Sequence, residues 1–221
     1  DPLSGYGSKK INAGNIQNDG IELMINVRPI ETRNFSWNLQ ANISKNNNTI
    51  IELTEDVVRY QLGGFDNLKI YATAGGNYGE IYGSKFQRVT DKNSPHYGKQ
   101  VVAKDGLPLG TTESEKIGDQ QAKALVGITN SFQYKGFDFS FLIDSRIGGD
   151  IFSATNLYLQ RFGTANITAP NGKRDDFVIP NSVFVDDNGV MHENNSSITH
   201  QQYWERTTNN TGNLGIRGQP L

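Results

Sequence analysis

The sequence predicts an all-β chain and, within that class, a portion of an antiparallel transmembrane β-barrel with long extracellular loops. Three observations lead there. Residues 124–144, ALVGITNSFQYKGFDFSFLID, alternate apolar and polar on both sides of one tight turn, and the two alternations agree across it. Residues 20–45 repeat the pattern around a second short turn. The connections run short, long, short, long, with aromatics beside both short turns, which is the asymmetry of barrels with tight turns on one side of a membrane and long loops on the other.

Taken in order, residues 1–18 have no period and read as an entry loop. Residues 20–30, GIELMINVRPI, put Ile21, Leu23, Ile25 and Val27 on one face and Glu22, Met24, Asn26 and Arg28 on the other. Pro29 cannot donate to a ladder and, with residues 31–34, marks a short turn. Residues 35–45, FSWNLQANISK, alternate without exception, and their length suits the roughly 9 to 11 residues of a tilted membrane strand. The long excursion over about 46–121 holds weaker β pieces near 68–72, 80–89 and 99–104. In the hairpin at 124–134 and 137–147, a two-residue turn at Lys135 and Gly136 sets Tyr134 opposite Phe137, Phe132 opposite Phe139, Asn130 opposite Phe141 and Ile128 opposite Ile143. A slip of one residue would exchange the two faces, so the pattern specifies the register. A second excursion fills about 148–213. Within it residues 183–191 suggest a small hairpin turning at Asn188 and Gly189, and residues 151–162 fit a short helix or a strand equally.

Composition narrows the function. Of 221 residues 35% are hydrophobic, 24 are glycine and none is cysteine. There are no disulfides or thiolate metal sites, and a net charge of −2 gives no electrostatic reason to bind nucleic acid. A mean hydropathy of −0.55 and the absence of any apolar run near 20 residues exclude helical spanning, while strands need only alternation. A soluble two-layer sandwich would use the same alternation to point the apolar face into a core, so a secreted all-β carbohydrate-binding module remains the alternative. Four strands cannot close a membrane barrel, whose smallest examples have about 8. The barrel reading therefore treats all of residues 1–221 as one partial barrel domain whose other staves lie beyond the termini. It predicts the four strands side by side, with Trp37 and Phe139 outward.

At this point the residues resemble a known family. The run NAGNIQNDGIELMINVRPIETRNFSWNLQANISKNNNTI (residues 12–50) looks like a late-barrel segment of the SusC/RagA family of TonB-dependent outer-membrane transporters of Bacteroidetes. Residues 125–210, including the Tyr203 and Trp204 pair, are similar to the family's next strand pair and loop. The resemblance implies a barrel of about 22 strands around an N-terminal plug. It implies a SusD-like surface lipoprotein as lid, outer-membrane lipid around the wall, TonB engaged through an N-terminal region outside this stretch, and import of oligosaccharides or peptides as nutrients. Members often carry an acidic GD…D-x-N-x-DG stretch where this chain has EKIGDQQAKAL (residues 115–125).

No catalytic constellation appears, so the expected role is not enzymatic and no cofactor or metal is called for. His96, His192 and His200 are scattered through loops, read as solvated. Asp186 and Asp187 precede Asn188 and Gly189 without the alternating spacing of a calcium loop, which fits a turn. Glu113, Glu115 and Asp119 read as a solvated acidic loop. Glycosylation-type triplets at Asn42, Asn47, Asn166, Asn194 and Asn209 are ordinary in so asparagine-rich a chain. For cargo, flat rings and directed hydrogen bonds on the excursions matter most. The substrate-binding candidates are Tyr158, Arg161, Tyr203 and Trp204, with packing of the loops as their other possible role. Glu22, Arg28 and Asp138 on the polar faces are expected to join an interior charge network.

Overall fold

The structure is a computed structural model that describes residues 5, 14–54 and 57–208. The rest of the predicted entry loop, the triplet at Asn209 and the end of the second excursion lie outside the described residues. In chain order the strands are β1 (Gly14–Glu31), β2 (Phe35–Leu53), β3 (Arg59–Phe65), β4 (Leu68–Thr73), β5 (Tyr78–Gly83), β6 (Gln100–Val102), β7 (Glu115–Asp119), β8 (Ala124–Tyr134) and β9 (Phe137–Ile147). There follow α1 (Ala154–Arg161), β10 (Ser182–Val185), β11 (Met191–Glu193) and α2 (His200–Thr208). The sheets take the orders β1-β2-β8-β9, β3-β4-β5-β7 and β11-β10-β6. The chain is thus all-β in character, with antiparallel pairing dominant and β6 against β10 the parallel pair in the smallest sheet. It divides into two compact units. The first holds Asp1–Gln61, Tyr71–Glu80 and Asp119–Asp150, and the second the remainder.

The first unit is built on the four long strands, which lie side by side and antiparallel. Tyr134 pairs with Phe137, Phe132 with Phe139, Asn130 with Phe141 and Ile128 with Ile143, as the alternation requires. The turn is the left-handed two-residue type that matches strand twist, with φ of +45° at Lys135 and +87° at Gly136. Two boundaries differ from the sequence reading. β1 already begins at Gly14, so residues 14–18 are strand and not loop, and β2 runs to Leu53. Backbone hydrogen bonds continue the ladder where side chains stop alternating, and asparagines tie it: Asn46 and Asn48 both donate Nδ2–H to Asn18 Oδ1, at 3.2 and 2.8 Å. A bulge between Val27 and Ile30 absorbs Pro29, whose missing N–H would otherwise break the ladder.

The second unit has conventional cores. Val89, Val101 and Val183 form one cluster beneath Leu109 and Met191. Val102, Ile179 and Ile198 form another, covered by Leu107, Phe177, Phe184 and Tyr203. The predicted hairpin is β10 and β11, but its turn spans residues 186–190 and not two residues, because Val185 pairs with Met191. Residues 151–162 resolve as helix: Ser153 caps α1, its Oγ accepting from Asn156 N at 3.2 Å. α2 was not foreseen. Thr199 Oγ1 accepts from Gln202 N at 3.1 Å while Gln202 Oε1 accepts from Thr199 N at 2.9 Å. This reciprocal capping box is legible as T-x-x-Q in the sequence.

Candidate functional site

The four-stranded sheet of the first unit presents two unlike faces. Across it the paired residues form rows: Ile25, Ala41, Ile128, Ile143; Val27, Leu39, Asn130, Phe141; Ile30, Trp37, Phe132, Phe139. These apolar rows are not covered. Phe137 is 79% exposed, Phe139 63% and Ile21 74%, where a sandwich would bury them. Near the tight turns the rings meet: Trp37 stacks on Phe132 at 5.8 Å and Phe35 on Phe132 at 6.3 Å, while Phe139 and Phe141 lie tilted at 5.7 Å. Asn130, the one polar residue in these rows, is 9% exposed and has a partner there, since Trp37 Nε1–H donates to its Oδ1 at 3.2 Å.

On the opposite face Asn26, Gln40 and Thr129 stand in one row and Asn42, Gly127 and Asp144 in another. Arg28 donates to Asn38 Oδ1 at 2.8 Å and pairs with Glu31 at 2.7 Å. The predicted network of Glu22, Arg28 and Asp138 is corrected accordingly. Arg28 reaches its own strand's Glu31 because the bulge brings the two together, and neither Glu22 nor Asp138 has an ion pair among the described residues.

In the second unit α1 carries Tyr158 and Arg161, α2 carries Tyr203 and Trp204, and the two helices pack together. Arg161 and Trp204 share a cleft of about 290 Å³ with Arg174, His200 and Glu205. Tyr203 and Trp204 line a second of about 290 Å³ with Phe177 and Gln100. Tyr158 lines neither; its ring meets Phe65 edge-on at 6.3 Å and stacks on Phe162 at 6.2 Å. Tyr203 and Trp204 meet edge to face at 5.2 Å. Burial pushes the Tyr203 phenol above its usual value. Trp204 is buried, and its indole N–H makes no hydrogen bond among the described residues.

Several loop residues are more tightly held than the sequence suggested. His96 is half-buried with Nδ1 3.3 Å from Glu193, whereas His192 is exposed, as expected, with Nε2 2.9 Å from Asp186 Oδ2. His200 packs its ring on Phe177 at 4.7 Å. Asp186 Oδ1 accepts from the N–H groups of Asn188 and Val190 at 2.9 and 2.8 Å, closing a turn. The His192 hydrogen bond, and then the Val190 one, hold its carboxyl below the usual range. A hydrogen bond from Lys99 does the same for Glu193. The acidic loop is likewise not merely solvated. Glu115 pairs with Lys85 at 3.2 Å, and Asp119 accepts from Asn77 Nδ2 at 2.6 Å and from Gln121 N at 3.0 Å.

Comparison with known proteins adds the lineage. No family model matches the chain. It is 31% identical over 157 residues to the TonB-dependent receptor SusC of Bacteroides thetaiotaomicron, covering 64% of this chain and 15% of that protein. It is 28% identical over 183 residues to the TonB-dependent receptor P3 of Formosa agariphila, covering 75% and 18%. The RagAB peptide transporter superimposes with a TM-score of 0.53 at 15% identity, over 73% of this chain and 18% of that one, and so shares the fold. The chain thus spans less than a fifth of the length of these relatives. In sheet and in sequence the chain is similar to a stretch of a TonB-dependent receptor. Within that class the chain is SusC/RagA-like.

Proposed function

We propose that this stretch supplies four adjacent staves to the wall of a TonB-dependent outer-membrane importer. Its apolar rows meet lipid, its amide-rich face meets a wet lumen, and the excursions over 46–121 and 148–213 stand outside the cell. The importer takes up oligosaccharides or peptides beneath a SusD-like surface lipoprotein, is energised by TonB through an N-terminal region, and catalyses no reaction. Tyr158, Arg161, Tyr203 and Trp204 contact cargo or lid from α1 and α2. The observation that carries the reading is the exposed, aromatic-edged apolar face: water would penalise it by about 25 cal/mol per Å², whereas hydrocarbon would not. A soluble carbohydrate-binding module needs a second layer over the same rings, and among the described residues none covers them.

The chain has no cysteine, which gives a clean test in the full-length receptor. With Phe139→Cys and Ser140→Cys introduced separately in intact cells, the first should react only with a lipid-partitioning maleimide and the second with a small water-soluble one. Protection of Phe139→Cys from both reagents would mean a protein core and would end the proposal.

A further inference from the structure

From the first unit's own cleft we infer a binding subsite for an uncharged, hydroxyl-rich ring, a sugar residue and not an ionised peptide end. The inference rests on the importer reading and refines its cargo. The cleft holds about 390 Å³ and is lined by Ser44, Asn46, Asn48, Tyr78, Gln120, Gln121, Ala122, Ala124 and Leu125. Apart from the phenol of Tyr78, none of these side chains ionises. Ser44, Asn46 and Asn48 alternate along β2 on the same face as Gln40 and Asn42, the face assigned to the lumen. The row beside it ends in charges of opposite sign, Glu22 on one side and Arg146 on the other. One N–H of the Arg146 guanidinium is taken by the Gln120 carbonyl oxygen.

Part of the lining is locked in place and part of it is free. Asn48 uses its whole side chain: Oδ1 accepts from Tyr78 N at 3.2 Å and Nδ2 donates to Asn18 at 2.8 Å. Its backbone N–H donates to Gln121 Oε1 at 3.2 Å. Gln121 N is held by Asp119, which Asn77 braces in turn. Gln120 N donates to Gly79 O at 3.0 Å. By contrast the Ser44 hydroxyl, the Tyr78 hydroxyl and the Gln120 side-chain amide have no hydrogen-bond partner among the described residues, and the Tyr78 ring is 48% exposed. A rigid frame that presents unpaired hydroxyl and amide groups beside one aromatic face suits sugar hydroxyls above and a sugar's C–H face against the ring. The lining itself offers an ionised terminus no counter-charge, and the flanking Glu22 and Arg146 are of opposite sign, so neither end of a peptide is favoured.

The test uses the purified full-length receptor and calorimetric titration with neutral glucan and xylan heptasaccharides, and with uncharged and charged heptapeptides. A neutral oligosaccharide should bind with an affinity unchanged between low and high salt. Tyr78→Ala should weaken it at least tenfold and Gln120→Ala severalfold, while Tyr78→Phe, which keeps the ring, should weaken it less than Tyr78→Ala. Overturning results are peptide binding with no sugar binding, or sugar binding that both alanine variants leave intact. Growth of receptor-deleted cells on the bound sugar separates the two readings. Unimpaired growth would remove the importer function, whereas impaired growth with full affinity in the variants would remove only this subsite.

Discussion

The assignment of faces can be tested by moving one charge by one residue. Ile143 stands in the row with Ile25, Ala41 and Ile128, and Leu142 in the row with Asn26, Gln40 and Thr129. Within this chain the two side chains are almost equally open, at 54% and 63%, so local packing predicts small and similar costs for arginine at either place. Lipid separates them. Ile143 lies seven residues beyond Gly136. At about 3.3 Å per residue that is roughly 23 Å of strand, or about 16 Å of height at a tilt near 45°, a little past the middle of an apolar band about 25 Å tall. Arginine at that depth costs roughly 2–4 kcal/mol on a lipid face and almost nothing on a lumen face. At about 1.4 kcal/mol per decade, Ile143→Arg should lower the folded-to-unfolded ratio some thirty- to several-hundredfold relative to Leu142→Arg. Phe137→Arg, beside the turn and near the interface, should cost about 0–1 kcal/mol. Urea unfolding of the full-length receptor in phospholipid vesicles reads all three. Equal costs at 142 and 143, or a cost at 137 as large as at 143, would refute both the facing and the depth.

Two further outcomes follow from particular bonds. Asn130→Leu should cost about 1–3 kcal/mol by stranding the Trp37 indole N–H, and adding Trp37→Phe should restore most of it; strictly additive losses in the same unfolding assay would show that the bond is not coupled. In the second unit, Asp186 and Glu193 have folded values below their unfolded ones, so their stabilisation is present above the ordinary carboxylate range and is lost as pH falls through the folded values. Amide exchange at Asn188 and Val190, corrected for intrinsic rates, should therefore quicken as pH drops below about 4, and a profile flat down to pH 3 would contradict the turn closure.

What the sequence disclosed depended on where side chains had to choose a side. Residues 124–147 could be registered pair by pair because every second residue is committed to one face, and Lys135 and Gly136 leave room for only one turn geometry. The ends of β1 and β2 were hidden because Asn18, Asn46 and Asn48 carry no facial preference, while the backbone pairs regardless of it. α2 went unread since its nine residues offer no long apolar period, although Thr199 and Gln202 spell its cap. Of the four cargo candidates, sequence could name the types but not their company. Arg161 and Trp204 share a cleft, Tyr203 is largely core, and Tyr158 packs on Phe65 and Phe162. The cleft at Ser44 and Tyr78 was out of reach because its walls come from three separate stretches.

The length of the hairpin explains why that cleft stands where it does. β2 has 19 residues, whereas a tilted crossing consumes roughly 9 to 11. On the proposed placement the surplus rises above the lipid, which is where alternation ceases and asparagine begins. Side chains there are free to be polar, so Asn46 and Asn48 can tie the ladder to Asn18 while the Ser44 hydroxyl remains available to solute. A strand extended by backbone pairing is stiffer than a loop of equal length, because each residue is held by its neighbour across the ladder. Segments 71–80 and 119–125 dock on this overhang through Ile50, Asn48 and Gln121, which fixes the walls of the proposed subsite by hydrogen bonds to the strand.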